Sequence, residues 1–291
     1  LKDNYKIAIR TAIFSILGNI FLAMGKGIAG VLGNSFALIA DAIESTTDVF
    51  SSIILLLGLR YANKPPDEDH PYGHGKAEPL ITFIIVGFLI TSASIILWQA
   101  FENMQNPSGL PEVFTLYVLA GIILVKELSY QFVNKKSRET KSSSLAADAW
   151  HHRSDAITSL AAFIGISFAL IMGEDYEIAD DIAAIFAAFF IYYNAYLIFK
   201  PALGEIMDVN LYPELAHDIE KVAKNTEGII NTEKCWIRKS GMNYIMDIHI
   251  RVKSDITVKA GHEIAHLFQR NIQKQFPEMI RVQIHVEPWK E

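Results

Sequence analysis

Glu44 and Asp48 stand four residues apart, and so do His151 and Asp155. A four-residue step on an α-helix returns to the same face, so each pair presents two donors to one side. Two such helices facing each other offer three carboxylates and an imidazole, the four ligands that a tetrahedral zinc site needs. An ionisable group at membrane depth is costly, so it marks either an ion path or a paired charge. The cations placed to pair with these acids are Arg10, Lys26 and Lys126. Asp41, Asp148 and His152 are weaker candidates, and His152 points about 100° away from His151 on the same helix.

The stretch Pro65-Pro66-Asp67-Glu68-Asp69-His70-Pro71-Tyr72-Gly73-His74-Gly75-Lys76 gathers carboxylates and imidazoles among prolines and glycines that exclude a regular element. Such a loop can hold a second metal ion or guide ions to an entrance; the plainer reading is a polar turn. Further on, His249, His285 and Glu287 fall on the polar sides of alternating runs, and His262 lies on a helical segment near them. These four can form another metal site, with solvated strand residues as the competing reading. His262-Glu263-Ile264-Ala265-His266 also reads as His-Glu-x-x-His, the pattern of a zinc metalloprotease with Glu263 as general base. That reading needs a third ligand and an enclosing domain, yet only 25 residues follow His266. The helix also turns Ile264, Leu267 and Phe268 inward, which leaves both histidines on its solvent side.

The elements that must position these groups are long and apolar. Residues 79–101 hold 23 positions without a charge, and 156–173 and 182–199 hold 18 each. At about 1.5 Å per residue, each can cross a hydrocarbon core of roughly 30 Å. Three less pure spans complete six: 7–31, 36–59 with Asp41, Glu44 and Asp48, and 113–133 with Lys126 and Glu127. Gly18, Gly25, Gly30 and Gly33 allow helices to approach closely. Lys2, Lys6, Lys64, Lys76, Lys135, Lys136, Arg138 and Lys141 all fall on one side of this arrangement. The opposite connectors, 102–112 and 174–181, carry no lysine or arginine but hold Glu102, Glu112, Glu174, Asp175, Glu177, Asp180 and Asp181. The asymmetry predicts that both termini are cytoplasmic.

From about Gly204 the composition turns to mixed charge with short alternating runs. Pro213–Lys224 reads as a helix, 234–238 as a strand, 244–253 as an alternating strand, 258–276 as a helix and 281–287 as a strand. The chain therefore divides into a six-helix transmembrane domain, 1–203, and a small αββαβ domain of α+β class, 204–291, with both helices on one face of the sheet. No internal repeat or low-complexity segment is expected. A 51% apolar composition in 291 residues, a net charge of −6 and no basic tract exclude a nucleic-acid-binding protein. Cys235, the single cysteine, cannot form an intramolecular disulfide and reads as an ordinary buried residue. The chain starts at Leu1, which implies that the natural start lies upstream. Its polar beginning runs into a span bearing Arg10 and Lys26, so no cleavable signal peptide is expected.

With Glu44-x-x-x-Asp48, the His-Pro-Tyr-Gly-His-Gly-Lys-Ala-Glu stretch at 70–78, His151-x-x-x-Asp155 and a small C-terminal domain, the whole chain resembles the cation diffusion facilitator family of metal–proton antiporters. The resemblance implies a transport site at Glu44, Asp48, His151 and Asp155 and a loop site at Asp67, His70 and His74. It implies a structural pair between Lys76 and Asp208. It also implies a ferredoxin-like, metallochaperone-like cytoplasmic domain that binds metal, and a homodimer in a cell (inner) membrane. Glu233 stands where the family often has histidine, and Glu44 where its zinc carriers have aspartate or histidine. Oxygen donors suit manganese and iron, while imidazole keeps zinc competitive. Zn2+ is the expected cargo, with Fe2+, Mn2+, Co2+ and Cd2+ as alternatives, protons as the exchanged ion and no resident cofactor. A metal-gated channel and a membrane-anchored metalloprotease are the rival readings.

Overall fold

The computed structural model describes residues 2–32, 36–105, 113–172, 178–210 and 212–289. Of the residues singled out above, Asp41, Glu44, Gly30, Gly33, Glu112, Glu174, Asp175, Glu177 and Asp180 lie, as residues or as side chains, outside those described. Among the described residues six long helices come first: α1 (Lys2–Leu32), α2 (Phe36–Ala62), α3 (Ala77–Gln105), α4 (Phe114–Thr140), α5 (Ser143–Met172) and α6 (Ile178–Ile206). All but α2 contain a described stretch long and apolar enough to cross a membrane; α2 has 27 residues and carries three acids in its sequence.

Polarity in this bundle is arranged inside out. Ser15, Asn19, Ser52, Lys126, Asp148 and His151 are buried, whereas Phe21, Trp98, Leu124, Ile171 and Phe186 face outward. An outward apolar belt of this size suits lipid rather than water. The helices outrun their apolar runs, because hydrophobicity marks only the part of a helix that meets lipid. Thus α4 continues through seven polar-rich residues to Thr140, held by a Lys136–Glu139 ion pair and by hydroxyl bonds from Ser137 and Thr140 to preceding carbonyls. It stops at Lys141, whose backbone is left-handed at φ 57, and the N–H groups of Lys141 and Ser142 return to the carbonyls of Arg138 and Ser137. α5 then begins against the fully buried Glu78 of α3, whose carboxylate accepts from the hydroxyls of Ser142 and Ser144 and the backbone N–H of Ser144. A negative group there complements the helix N-terminus and fixes where α5 starts. The start of α5 sets the height of His151 and Asp155, two to three turns on.

The second compact unit comprises the chain from Leu203 onward together with the loop Lys64–Lys76 and the first three residues. It contains α7 (Pro213–Lys224), β1 (Asn231–Ser240), β2 (Asn243–Val252), α8 (Val258–Gln275) and β3 (Met279–Pro288). The described strands form one sheet in the order β1-β2-β3. β1 and β2 are antiparallel through a turn at Gly241 (φ 63), and β3 returns parallel to β2 after crossing through α8. This is the expected αββαβ order. β1 is longer than the expected 234–238, because a register shift between Thr232 and Cys235 interrupts the alternation on which a strand assignment depends. Pro213 opens α7, and Thr257 caps α8 by accepting from the N–H of Ala260 at 3.2 Å. Met246, Ile248 and Ile250 of β2 pack with Ile219 and Val222 of α7 and with Phe268 and Ile272 of α8 in one core. Both helices therefore cover one face, and the other face carries Asp247, His249 and Arg251.

Candidate metal sites

Asp48 of α2 and His151 and Asp155 of α5 bring one donor atom each to within 4.8 Å of one another. His151 Nε2 lies 2.9 Å from Asp48 Oδ1, and both side chains are buried. His151 Nδ1 has no hydrogen-bond partner among the described residues. Glu44, the fourth expected ligand, sits one helical turn before Asp48 on α2, but its side chain is not among those described.

A lysine also enters this cluster. Lys126 of α4, only 1% exposed, donates to Asp48 Oδ2 at 2.8 Å and to Asp155 Oδ2 at 2.7 Å. Its ammonium also reaches Asn19 Oδ1 at 3.3 Å, and Asn19 in turn donates to Ser52 Oγ at 3.2 Å. The sequence placed Lys126 in a span as one of three possible partner charges, with nothing to choose among them. Among the described residues it is Lys126 that reaches Asp48 and Asp155, and Lys26 donates to Ser45 Oγ at 2.9 Å. Asp148, three residues before His151, and His152, one after it, form a further buried cluster with Ser15 of α1. Ser15 Oγ donates to Asp148 Oδ2 at 2.8 Å and lies 3.3 Å from His152 Nε2. His152 thus faces α1 rather than the Asp48 cluster, as the 100° offset from His151 requires.

In the loop, Asp67 bridges two imidazoles: Oδ1 lies 3.0 Å from His70 Nδ1 and Oδ2 lies 3.3 Å from His74 Nε2. The His70 and His74 rings are 4.4 Å apart, and the three donors form a compact set. Desolvation pushes the Asp67 carboxyl up, but hydrogen bonds from the His70 backbone and ring outweigh it and hold the group below the usual carboxylate range. The loop is seated firmly. Lys76 reaches Asp208 Oδ1 at 2.5 Å and also the Glu205 carbonyl, while Tyr72 lies beneath the Arg281 guanidinium at 4.3 Å. Gly75 packs so tightly that a Cβ there would fall 2.6 Å from the Ser240 carbonyl carbon.

On the open face of the sheet, parallel pairing sets His249 beside His285 and Arg251 beside Glu287. His249 Nδ1 lies 2.7 Å from Glu287 Oε1, and His285 Nε2 lies 3.9 Å from the same oxygen. The hydrogen bond from His249 holds the Glu287 carboxyl below its ordinary range. Glu233 is engaged by Arg251 Nη2 at 2.8 Å.

His262 does not join this group. Its ring lies on the exposed side of α8 with Nε2 3.0 Å from His266 Nε2, and no third donor completes a site there among the described residues. A four-residue step along α8 sets His262 beside His266 on one face of the helix. The His-Glu-x-x-His stretch is therefore a solvent-facing pair with Glu263 exposed beside it. Cys235 is half-buried, and burial pushes its thiol up to about 12, which makes it a poor metal ligand at neutral pH.

The sequence profile of the cation efflux transmembrane domain matches residues 12–207, and that of the cation efflux protein cytoplasmic domain matches 211–289. The manganese efflux system protein MneP of Bacillus subtilis is 32% identical over 295 residues, which covers 100% of this chain and 99% of MneP. Metal tolerance protein 2 of Oryza sativa is 30% identical, covering 93% of this chain and 76% of that protein. Among solved structures, a cadmium form of a MamM C-terminal domain covers 27% of this chain and 99% of its own length, at 18% identity and a TM-score of 0.27.

Proposed function

The chain belongs to the cation diffusion facilitator family of cation efflux proteins, and on that premise we propose that it exports a divalent transition metal by alternating access in exchange for protons. The observation that carries the reading is the convergence of buried Asp48 and His151 with half-buried Asp155 from two helices of a multi-pass membrane domain. With Glu44 one turn from Asp48, the donor set becomes three carboxylates and one imidazole. These ligands bind metal only when deprotonated, so metal and protons compete for the same atoms and their movements are linked. Metal enters from the cytoplasmic side, the helices rock, and protons replace the metal before the return.

Manganese is the cargo best supported: the donors are mostly hard oxygens, and MneP, similar along its whole length, is a manganese efflux protein. Zinc, the cargo expected from sequence, is the second reading and rests on the His151 imidazole. In this reading the Asp67–His70–His74 and His249–His285–Glu287 clusters are cytoplasmic metal sites, both termini are cytoplasmic, and the C-terminal domain pairs two copies in a cell membrane. The test is uptake of Mn2+ and Zn2+ into proteoliposomes with internal pH recorded. Saturable Mn2+ flux with opposed proton movement is expected; flux without proton movement would point to a channel, and preferential zinc flux would move the cargo assignment back to His151.

A further inference from the structure

Lys126 donates to two of the proposed ligands, and its position invites a role beyond neutralisation. We propose that Lys126 is a tethered counter-ion: its ammonium and the metal occupy the Asp48 and Asp155 carboxylates in turn, and the ammonium accompanies the metal-free site on its return. The inference rests on the assignment of Asp48 and Asp155 as transport ligands.

Three features support it. First, the lysine bridges the two acids rather than pairing with one, at 2.8 and 2.7 Å, and these carboxylates come from different helices. A metal ion coordinated by the same oxygens needs the positions that the N–H groups hold. Second, a divalent ion and an ammonium about 4 Å apart in a poorly polarisable interior repel strongly, so the two exclude each other rather than share the site. Third, a buried carboxylate in this bundle does not need a lysine merely to be accommodated. Asp148, fully buried on α5, is held without one: its Oδ2 accepts from the Ser15 hydroxyl at 2.8 Å, and its Oδ1 has no hydrogen-bond partner among the described residues. The lysine stem is long and flexible, and Asn19 Oδ1 at 3.3 Å on α1 supplies an acceptor apart from the two acids.

The alternation has a specific consequence. When the metal leaves, the lysine takes over Asp48 and Asp155 and leaves the exchanged protons to the remaining donors, Glu44 and His151, so the metal-free site re-crosses the membrane without two bare negative charges. A carrier without the lysine would hold its metal more tightly and return empty less readily, but it would still shuttle with metal bound in both directions.

The test uses the full-length protein with Lys126→Met, which keeps the volume and removes the charge. Mn2+ binding is measured in detergent at one fixed pH, and net Mn2+ flux and Mn2+–Mn2+ exchange are measured in proteoliposomes. The variant is expected to bind Mn2+ at least about tenfold more tightly, to lose most net flux and to retain exchange. Unchanged or weaker binding, or equal loss of net flux and exchange, would overturn the proposal, since a merely structural lysine gives one of those results. Lys126→Arg, which keeps the charge, should stay near wild type in affinity; tightening there would also overturn it. Should Lys126→Met not fold, 15N-lysine difference infrared spectra of the wild-type protein decide: an ammonium band must shift when Mn2+ is added, and an unchanged spectrum overturns the proposal. Wild-type-like flux in Asp155→Asn is a separate result, which removes the transport-site assignment itself.

Discussion

The membrane cluster and the sheet cluster use the same two chemistries, imidazole and carboxylate, in opposite surroundings. Asp48 and His151 are buried among helices, and a buried lysine donates to Asp48 and Asp155, whereas His285 is largely exposed and Glu287 is only partly covered. On the sheet, a solvated ion pair is worth little and rearranges freely. In the bundle, removing one partner of a buried pair leaves the other uncompensated, at about 3–5 kcal/mol. The difference teaches that depth, more than ligand identity, separates a cluster that must always hold a cation from one that can stand open.

Breaking the deep cluster should have the largest effect. Asp48→Asn or Asp155→Asn should lower Mn2+ flux by roughly 100-fold or more, since losing a ligand outright exceeds the 10–100-fold cost of losing a ligand's supporting partner. Flux assays in proteoliposomes check this, and Asp48→Ala should also lower the unfolding temperature by taking from buried Lys126 one of its two carboxylates. The shallow cluster should respond differently. His249→Ala with His285→Ala should weaken metal binding by residues 204–291 at least about tenfold and change transport by less than about threefold; calorimetric titration and flux measure the two sides of that contrast. A transport loss equal to that of Asp155→Asn would erase the distinction between the clusters.

A third, smaller expectation concerns pH. The Glu287 carboxyl is lowered from 4.5 mainly by the His249 hydrogen bond, so it binds a proton less readily in the folded state. Its contribution to domain stability is complete above about 4.5 and fades as the pH falls through the lowered folded value. Thermal melts of 204–291 at pH 6 and pH 3 should therefore show a narrower gap for Glu287→Gln than for wild type. The smallest effect is a control away from both clusters: Thr257→Ala removes the α8 cap and should cost about 1 kcal/mol, read as a lowered melting temperature with metal binding unchanged.

Much of this was legible in the sequence. The α7 boundaries agree with the expected Pro213–Lys224, and the alternation of Tyr244, Met246, Ile248, Ile250 and Val252 assigns the buried side of β2. Donor spacing points to the Asp48–His151–Asp155 group, because a four-residue step is a local property of helices. Lys126 was harder, since its partners lie 78 and 29 residues away and only packing of α2, α4 and α5 selects it over Arg10 or Lys26. His262 shows the converse failure: nearness in sequence to strand ligands says nothing about which way a helix turns its side chains. The polar end of α4 was illegible because the apolar pattern reports the surrounding solvent, not the helix.

The seat of the loop Lys64–Lys76 bears on the order in which the protein is made. Gly75 packs against Ser240, and Tyr72 lies under Arg281. Both partners leave the ribosome long after the loop, by roughly ten to forty seconds at about 5–20 residues per second. The second and third helices must therefore enter the bilayer while the loop between them has nothing to rest on. Its density of charge, proline and glycine keeps it soluble and unpaired through that interval, and a nascent chain truncated before β1 would retain the loop cluster's residues without the surface that shapes them.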